Sequence, residues 1–152
     1  MSMPPIEILV LDQRLHQWGL PRWQSQMAAA IDLHACLDAP LTIAPGVVPE
    51  LIPAGFALHI ANPHIAALIL PRSGMGHRQG LVLGNLVGLI DPDYTGPIMV
   101  SAWNRGTAPI TLNPGDRFAQ MMFVPVLRPV LQPVEVFSQN SERGAGGFGS
   151  TG

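Results

Sequence analysis

Glycine and proline, sixteen of each in 152 residues, cut this chain into short pieces and leave little room for a long helix. Inside a helix, glycine costs about 1 kcal/mol and proline about 3 kcal/mol relative to alanine, so such a chain folds through elements that tolerate frequent breaks. Between the breaks lie apolar runs at residues 6–11, 56–60, 66–70, 81–83, 98–103 and 118–126. Each has strand length, and turn signals recur about every ten residues, the spacing of an all-β sandwich or barrel. One stretch competes with this reading. From residue 22 to 37, after Pro21, Trp23, Met27, Ala30, Ile31 and Leu37 have the spacing of an amphipathic helix, and local pattern alone does not choose between helix and strand there.

Apolar residues make up 47% of the chain and charged residues only 12%, which excludes disorder for most of it. So little charge also leaves a thinly solvated surface, some of which is expected to lie between subunits. All eight cations are arginine, the formal net charge is -2, and no basic run exists, which argues against long DNA or RNA as a partner. Scattered arginines suit two-pronged contacts with phosphate instead. Cys36 is alone, so neither a disulfide framework nor a cysteine-built metal site is expected. No basic-then-apolar leader and no apolar run near twenty residues is present, and the expectation is a soluble, cytoplasmic protein without a membrane partner. No linker or repeat divides the chain.

Residues 71–96, PRSGMGHRQGLVLGNLVGLIDPDYTG, interrupt the apolar pattern with polar, acidic and aromatic side chains. Arg72, Ser73 and Gly74, after Pro71, combine a guanidinium, a hydroxyl and an uncovered backbone, the parts of an anion nest. They are equally the parts of a serine-capped turn. Asp91 follows the apolar run 86–90 and precedes Pro92, where a carboxylate at the mouth of a hydrophobic hairpin can take a proton from water. Aspartate before proline is also ordinary turn grammar. Asn85 can satisfy a pyrimidine edge or simply make a turn. Tyr94, the only tyrosine, can lie against a sugar or merely pack at a strand edge.

The last residues, 143–152, read RGAGGFGSTG. An inert glycine-serine linker needs neither Arg143 nor Phe148. A base stacked on Phe148 would gain about 1–3 kcal/mol, and Arg143, Ser150 and Thr151 could meet phosphate oxygens. From residue 138 onward the chain has too little apolar surface to fold alone, so residues 1–137 are expected to form the domain and 138–152 a flexible arm. The five histidines show no ligand spacing, which leaves Mg2+ carried by phosphates as the expected ion. Pro114 to Arg117 reads as a β-turn entering a strand, and Gln120 is that strand's polar exception, there to reach a ligand or to brace the site.

In this order, the motifs PRSGMG at 71–76, GNLVGLIDPDYTG at 84–96, PGDRFAQ at 114–120 and RGAGGFGSTG at 143–152 resemble those of the trimeric deoxyuridine triphosphate nucleotidohydrolases, the dUTPases, of bacterial type. A further motif, Ala-Gly-x-Asp-Leu-Arg in the family, is less complete. Asp32 and Leu33 are kept, while Ala30 stands for glycine and His34 for a common arginine. The resemblance implies an all-β, jelly-roll-like barrel, a homotrimer with active sites shared between chains, and a strand covering at least Ala30 to Leu37. It implies hydrolysis of dUTP to dUMP and pyrophosphate, which keeps uracil out of DNA and supplies dUMP for thymidylate synthesis. By resemblance Asp91 activates water, Asn85 with backbone near Leu89 and Ile90 reads uracil, Tyr94 underlies deoxyribose, and Met99 walls the pocket. Arg72, Ser73, Gly74 and Gln120 contact phosphates. Phe148 and Gly149 close over the base, Arg143, Ser150 and Thr151 clamp the far phosphate, and Asp32 positions magnesium through water.

Two rivals remain within reach of the sequence. A dCTP deaminase of the same fold would need a glutamate beside the pyrimidine amine, and Glu7, Glu50, Glu135 and Glu142 all lie outside the motifs. A non-catalytic nucleotide sensor would have no use for Asp91, Arg143 and Phe148 together.

Overall fold

The computed structural model describes Met3 and residues 5–149. Within them the elements run β1 (Glu7–Val10), α1 (Leu15–Trp18), β2 (Ile31–His34), β3 (Leu41–Ile43), β4 (Glu50–His59) and β5 (Ile65–Pro71). They continue with α2 (Ser73–Arg78), β6 (Leu81–Leu83), β7 (Gly88–Ile90), β8 (Pro97–Asn104), β9 (Ile110–Leu112) and β10 (Arg117–Pro125). Two four-stranded sheets, ordered β1-β4-β8-β6 and β2-β10-β5-β7, carry most of the strand residues, with β3 and β9 pairing separately. Every pairing is antiparallel. This is the all-β architecture that the punctuated sequence implies, in the jelly-roll-like form implied by the resemblance.

Inward residues of the two sheets meet in one core. Ile52, Phe56, Ile98 and Val100 come from the first sheet, and Leu33, Ile69, Phe118 and Met121 from the second. Truncating a ring buried as fully as Phe118 would cost about 3–5 kcal/mol. No helix among the described residues is long and apolar enough to cross a membrane.

The ambiguous stretch resolves as strand, though a shorter one than residues 30–37. Ile31, Leu33 and Ala35 are buried and alternate with the less buried Asp32 and His34, a period of two rather than 3.6. Trp23, which looked like the start of a helix, instead bridges to Ile31, and Met27 is exposed. Ala30 is not among the residues at positive φ, so its methyl sits on backbone that any L-residue adopts. His34 has a bracing role of its own: its Nδ1 lies 2.8 Å from the carbonyl oxygen of Gly115 and so ties β2 to the turn before β10. Gly115 (φ +84°) packs there against the Trp18 ring, where a Cβ would come within 2.8 Å of the indole.

β4 runs six residues further toward the N-terminus than the apolar run predicts, because Pro53 and Gly55 lie inside it. Its register with β8 slips between Pro53 and Ala57, and Gly55 adopts φ +82°. The freed Gly55 carbonyl accepts the N–H groups of Leu11 and Asp12, which fastens the end of β1 to this bulge.

Candidate active site

β5 organises the site. On one side it pairs with β10, from Pro71 opposite Ala119 to Ile65 opposite Pro125, and on the other with β7, from Ala67 opposite Ile90 to Ile69 opposite Gly88. The PRSG turn therefore leaves one end of β5, while Asp91 emerges beside the other.

At the first end the strand passes into α2, whose opening N–H groups have no helical acceptor. A cleft of about 350 Å³ lies there, walled by Asp32, Arg72, Ser73, Gly74 and Gln120 together with Met75, Arg78 and Gln79. It thus gathers five of the residues singled out from sequence. Gln120 braces it by donating Nε2 to the Pro71 carbonyl at 2.8 Å. The Asp32 carboxylate, only 14% exposed, receives Arg72 Nε at 3.0 Å on one oxygen and Arg117 Nη1 at 3.3 Å on the other. Arg72 Nη1 also donates to the Arg117 carbonyl oxygen at 2.9 Å. Arg78 was not among the sequence candidates. Only six residues after Arg72, it was visible there as a cation near the anion motif.

The other end is looser. Asp91 and Leu89 line a separate cleft of about 660 Å³ with Pro92, Asp93, the β4–β5 connection at Ala61 to Pro63, and Arg128. The turn is held by Tyr94 N–H to the Asp91 carbonyl at 3.1 Å and by Ala61 N–H to the Pro92 carbonyl at 3.0 Å. The Asp91 carboxylate itself is exposed and enters no hydrogen bond or ion pair among the described residues. Tyr94 donates its hydroxyl to the Pro97 carbonyl at 2.9 Å. Its ring lies over Gly96, where a Cβ would come 2.5 Å from the phenol oxygen, so glycine is required there by close approach.

The expected hairpin around Asp91 takes a different form. β7 pairs only with β5 and forms the edge of its sheet, whereas β8 belongs to the other sheet. The two strands flanking Asp91 thus diverge, and β7 keeps a row of backbone donors and acceptors unpaired within the chain. Ile90 is half-buried on this strand, and Asn85 and Met99 are exposed on its approach and return. Asn85, Ile90, Tyr94 and Met99 line neither cleft.

Asp91 follows Ile90, and so lies level with Ala66 on β5, six residues from Arg72. At ~3.3 Å per strand residue the two ends are roughly 20 Å apart. Nor does the C-terminal segment join them in one chain. Arg143 donates to the Gly146 carbonyl at 2.7 Å, Phe148 is fully exposed, and neither they nor Gly149 line either cleft. Ser150 and Thr151 lie outside the described residues.

Asp32 does not form part of a ready-made metal cage. No group of three or more His, Cys, Asp or Glu side chains comes together among the described residues. Magnesium usually binds through one or two carboxylates plus substrate phosphates, and Asp32 is the one carboxylate that lines this cleft.

Comparison with known proteins narrows the reading. The dUTPase family model matches residues 16–152. The deoxyuridine 5'-triphosphate nucleotidohydrolase of Ralstonia pickettii (strain 12J) is 58% identical over 147 residues, 97% of each chain. That of Xylella fastidiosa (strain M23) is 51% identical over 152 residues, 99% of this chain and 97% of its own. Among solved structures, the dUTPase of Staphylococcus bacteriophage 80alpha with dUPNHPP superposes with a TM-score of 0.86 over 99% of both chains at 22% identity, a likeness of fold. A mutant dUTPase from phage phi11 of S. aureus, described with a coordinated structural Mg(II) ion, has a TM-score of 0.74 at 20% identity over 90% of this chain and all of that one. With the motifs in order and the identity sustained over nearly its full length, the chain belongs to the dUTPase family.

Proposed function

We propose that this protein hydrolyses dUTP to dUMP and pyrophosphate at sites shared by the three chains of a homotrimer. The observation that carries the activity is the 58% identity to a deoxyuridine 5'-triphosphate nucleotidohydrolase over 97% of both chains. Support for shared sites comes from β5. A water held by Asp91 and the phosphates held by the PRSG turn must meet at one phosphorus, yet within a chain these groups lie roughly 20 Å apart. A neighbouring chain's Asp91 end laid against the PRSG end brings them together. In this arrangement residues 138–152 form an arm reaching a neighbour's site, which gives exposed Phe148 a base to cover.

Uracil meets the free edge of β7. Backbone N–H and C=O groups near Leu89 and Ile90 offer the alternating donors and acceptors that the pyrimidine imide requires, and Asn85 adds an amide. Cytosine presents a donor where uracil presents an acceptor, and such mispairing discriminates far more than one methyl group. Tyr94, anchored on the Pro97 carbonyl, supports deoxyribose, and Met99 closes the wall beside it. Arg72, Ser73, Gly74 and Gln120 bind phosphate oxygens, and Arg143, Ser150 and Thr151 complete the clamp from the arm, with Gly149 letting the backbone close in.

Asp91 holds a water in line with the α-phosphorus and accepts its proton as the new P–O bond forms and the bond to the bridging oxygen breaks. General-base help of this kind contributes about 10²–10⁴-fold. Mg2+ bound to the triphosphate would neutralise charge on the departing pyrophosphate, with Asp32 touching its water shell. The two arginines on Asp32 hold that carboxylate in place for the contact. Release of dUMP also implies a place upstream of thymidylate formation and a role in limiting uracil in DNA.

The test is a pyrophosphate-release assay across the nucleoside triphosphates with Mg2+ present. Turnover of dUTP at least a hundredfold faster than of dCTP, dTTP or UTP is expected, in line with hydrogen-bond-based discrimination. Intact dUTP, or ammonia released from dCTP, overturns the reading.

A further inference from the structure

Arg117 lies outside the phosphate cleft, yet it is tied to the cleft's principal cation twice over. Its guanidinium holds one oxygen of Asp32 while Arg72 holds the other, and its backbone carbonyl accepts a hydrogen bond from Arg72 Nη1. We propose that Arg117 is a positioning residue for the hydrolysis described above, acting through Asp32 to fix the direction in which Arg72 presents its remaining N–H groups to the triphosphate.

A backbone irregularity puts Arg117 in place. Counting back along a regular β10–β2 ladder from Gln120 opposite Asp32 would set Arg117 opposite Ala35, among the buried side chains. Instead Ala119 pairs with Leu33 and Arg117 with His34, so two steps on β10 match one on β2. Such a bulge turns the following side chains to the other face. It sends Arg117 to the side carrying Asp32 and His34, while Phe118 and Ala119, consecutive in sequence, are both buried. His34 steadies the turn leading into this bulge through the Gly115 carbonyl.

The geometry sets a division of labour. Arg72 has five N–H donors in a rigid plane. Nε is engaged by Asp32 and one Nη1 hydrogen by the Arg117 carbonyl, and the guanidinium still borders the cleft. A guanidinium fixed at two points loses less freedom on gripping a phosphate than one that swings. Asp32 alone would be a poor anchor, since a carboxylate with one partner can rotate. Arg117 on the second oxygen fixes its plane. This role needs the guanidinium fork, because lysine supplies a point charge without the planar geometry.

The experiment uses the full chain and compares Arg117→Ala, Arg117→Lys, Arg72→Ala and the double variant. Arg117 is half exposed, and its backbone bond to Arg72 survives substitution. Two readouts separate positioning from general stability: hydrolysis of dUTP with Mg2+, and binding of dUMP against an imido analogue of dUTP. Expected for Arg117→Ala is a roughly tenfold loss in kcat/KM and in affinity for the triphosphate analogue, with dUMP affinity and melting temperature unchanged. Arg117→Lys restores only part of the loss. The double variant falls well short of the product of the two single losses, because Arg117 acts chiefly through Arg72. Additive losses, an equal loss of dUMP binding, or full activity of Arg117→Ala each overturn the proposal. An inactive wild-type protein would instead remove the dUTP reading on which it rests.

Discussion

The two ends of β5 are built by opposite rules. At the Pro71 end polar groups are locked to one another before any ligand arrives: Gln120 on the Pro71 carbonyl, and Arg72 and Arg117 on Asp32. At the other end the Asp91 carboxylate is exposed and, among the described residues, unpartnered, and the sheet stops there at β7 with its outer edge unpaired. A chain that worked alone would gain nothing from leaving its reactive end open and its binding end finished. The contrast makes sense if the finished end of one chain completes the open end of another. Preorganised groups then bind charge with little rearrangement, while the general base stays free to accept a proton.

The sharpest way to break this comparison is to disable each end separately and mix the chains. Asp91→Asn should lower kcat by about 10²–10⁴-fold while retaining binding of the triphosphate analogue, since an amide cannot take the proton. Arg72→Ala should lower kcat/KM by roughly 10–100-fold, the worth of a charge-assisted phosphate contact. When the two variants are dissociated and reassembled together at equal amounts, about a quarter of the sites draw both intact residues from different chains. Turnover near that fraction of wild type is expected. A mixture no better than the mean of its parents would put both residues in one chain's site and end the comparison.

The contrast also explains how far the residues alone could be read. Strands showed through wherever apolar runs lay between glycine and proline, so residues 66–70 and 98–103 fall within β5 and β8. What escaped were elements whose signal is shorter than the pattern that reveals them. β3 and β9 are three residues each and pair only with one another. The bulges at Gly55 and before Ala119 leave only local traces, a glycine inside a strand and two adjacent buried residues. Site chemistry was legible as motifs: Arg72, Ser73, Gly74, Gln120 and Asp32 do wall one cleft. Its partition was not, because the distance between Arg72 and Asp91 depends on which strands flank β5. Arg117 escaped for the same reason, its side taken from the bulge rather than from sequence spacing.

A smaller effect than the mixing experiment comes from the C-terminal segment, which belongs to neither end within one chain. β10 closes at Pro125, and no strand or helix follows it among the described residues. Deleting residues 141–152 should therefore leave the melting temperature within a few degrees of wild type. It should lower kcat/KM by roughly 5–150-fold, the equivalent of one aromatic stack on a base. Unchanged kcat/KM would show that Phe148 and Arg143 take no part, and that the Asp91 end is completed by the barrel of a neighbour alone.

The smallest effect concerns the frame that both ends share. Cys36 is buried beside the β4 bulge, where a Cβ on Gly55 would fall 2.5 Å from its sulfur. Burial, and after it the negative charge of Asp12, pushes its thiol up to about 12. The hydrogen bond from Arg14 holds Asp12 below the usual carboxylate range, so that charge persists across neutral and alkaline pH. For a thiol raised in this way the folded state keeps a proton that the unfolded chain gives up. Its contribution is complete below the ordinary thiol value near 9 and drains away as pH rises toward 12. In denaturant titrations, wild type should lose stability relative to Cys36→Ala by on the order of 1 kcal/mol per pH unit between about pH 9 and 10.5. Dithiobis reagents should meanwhile leave the folded thiol untouched, because neither access nor thiolate is available. Parallel stability curves for the two proteins would mean that the sulfur senses solvent. The β4 bulge would then be a loose joint rather than a fixed anchor for the end of β1 and for Cys36.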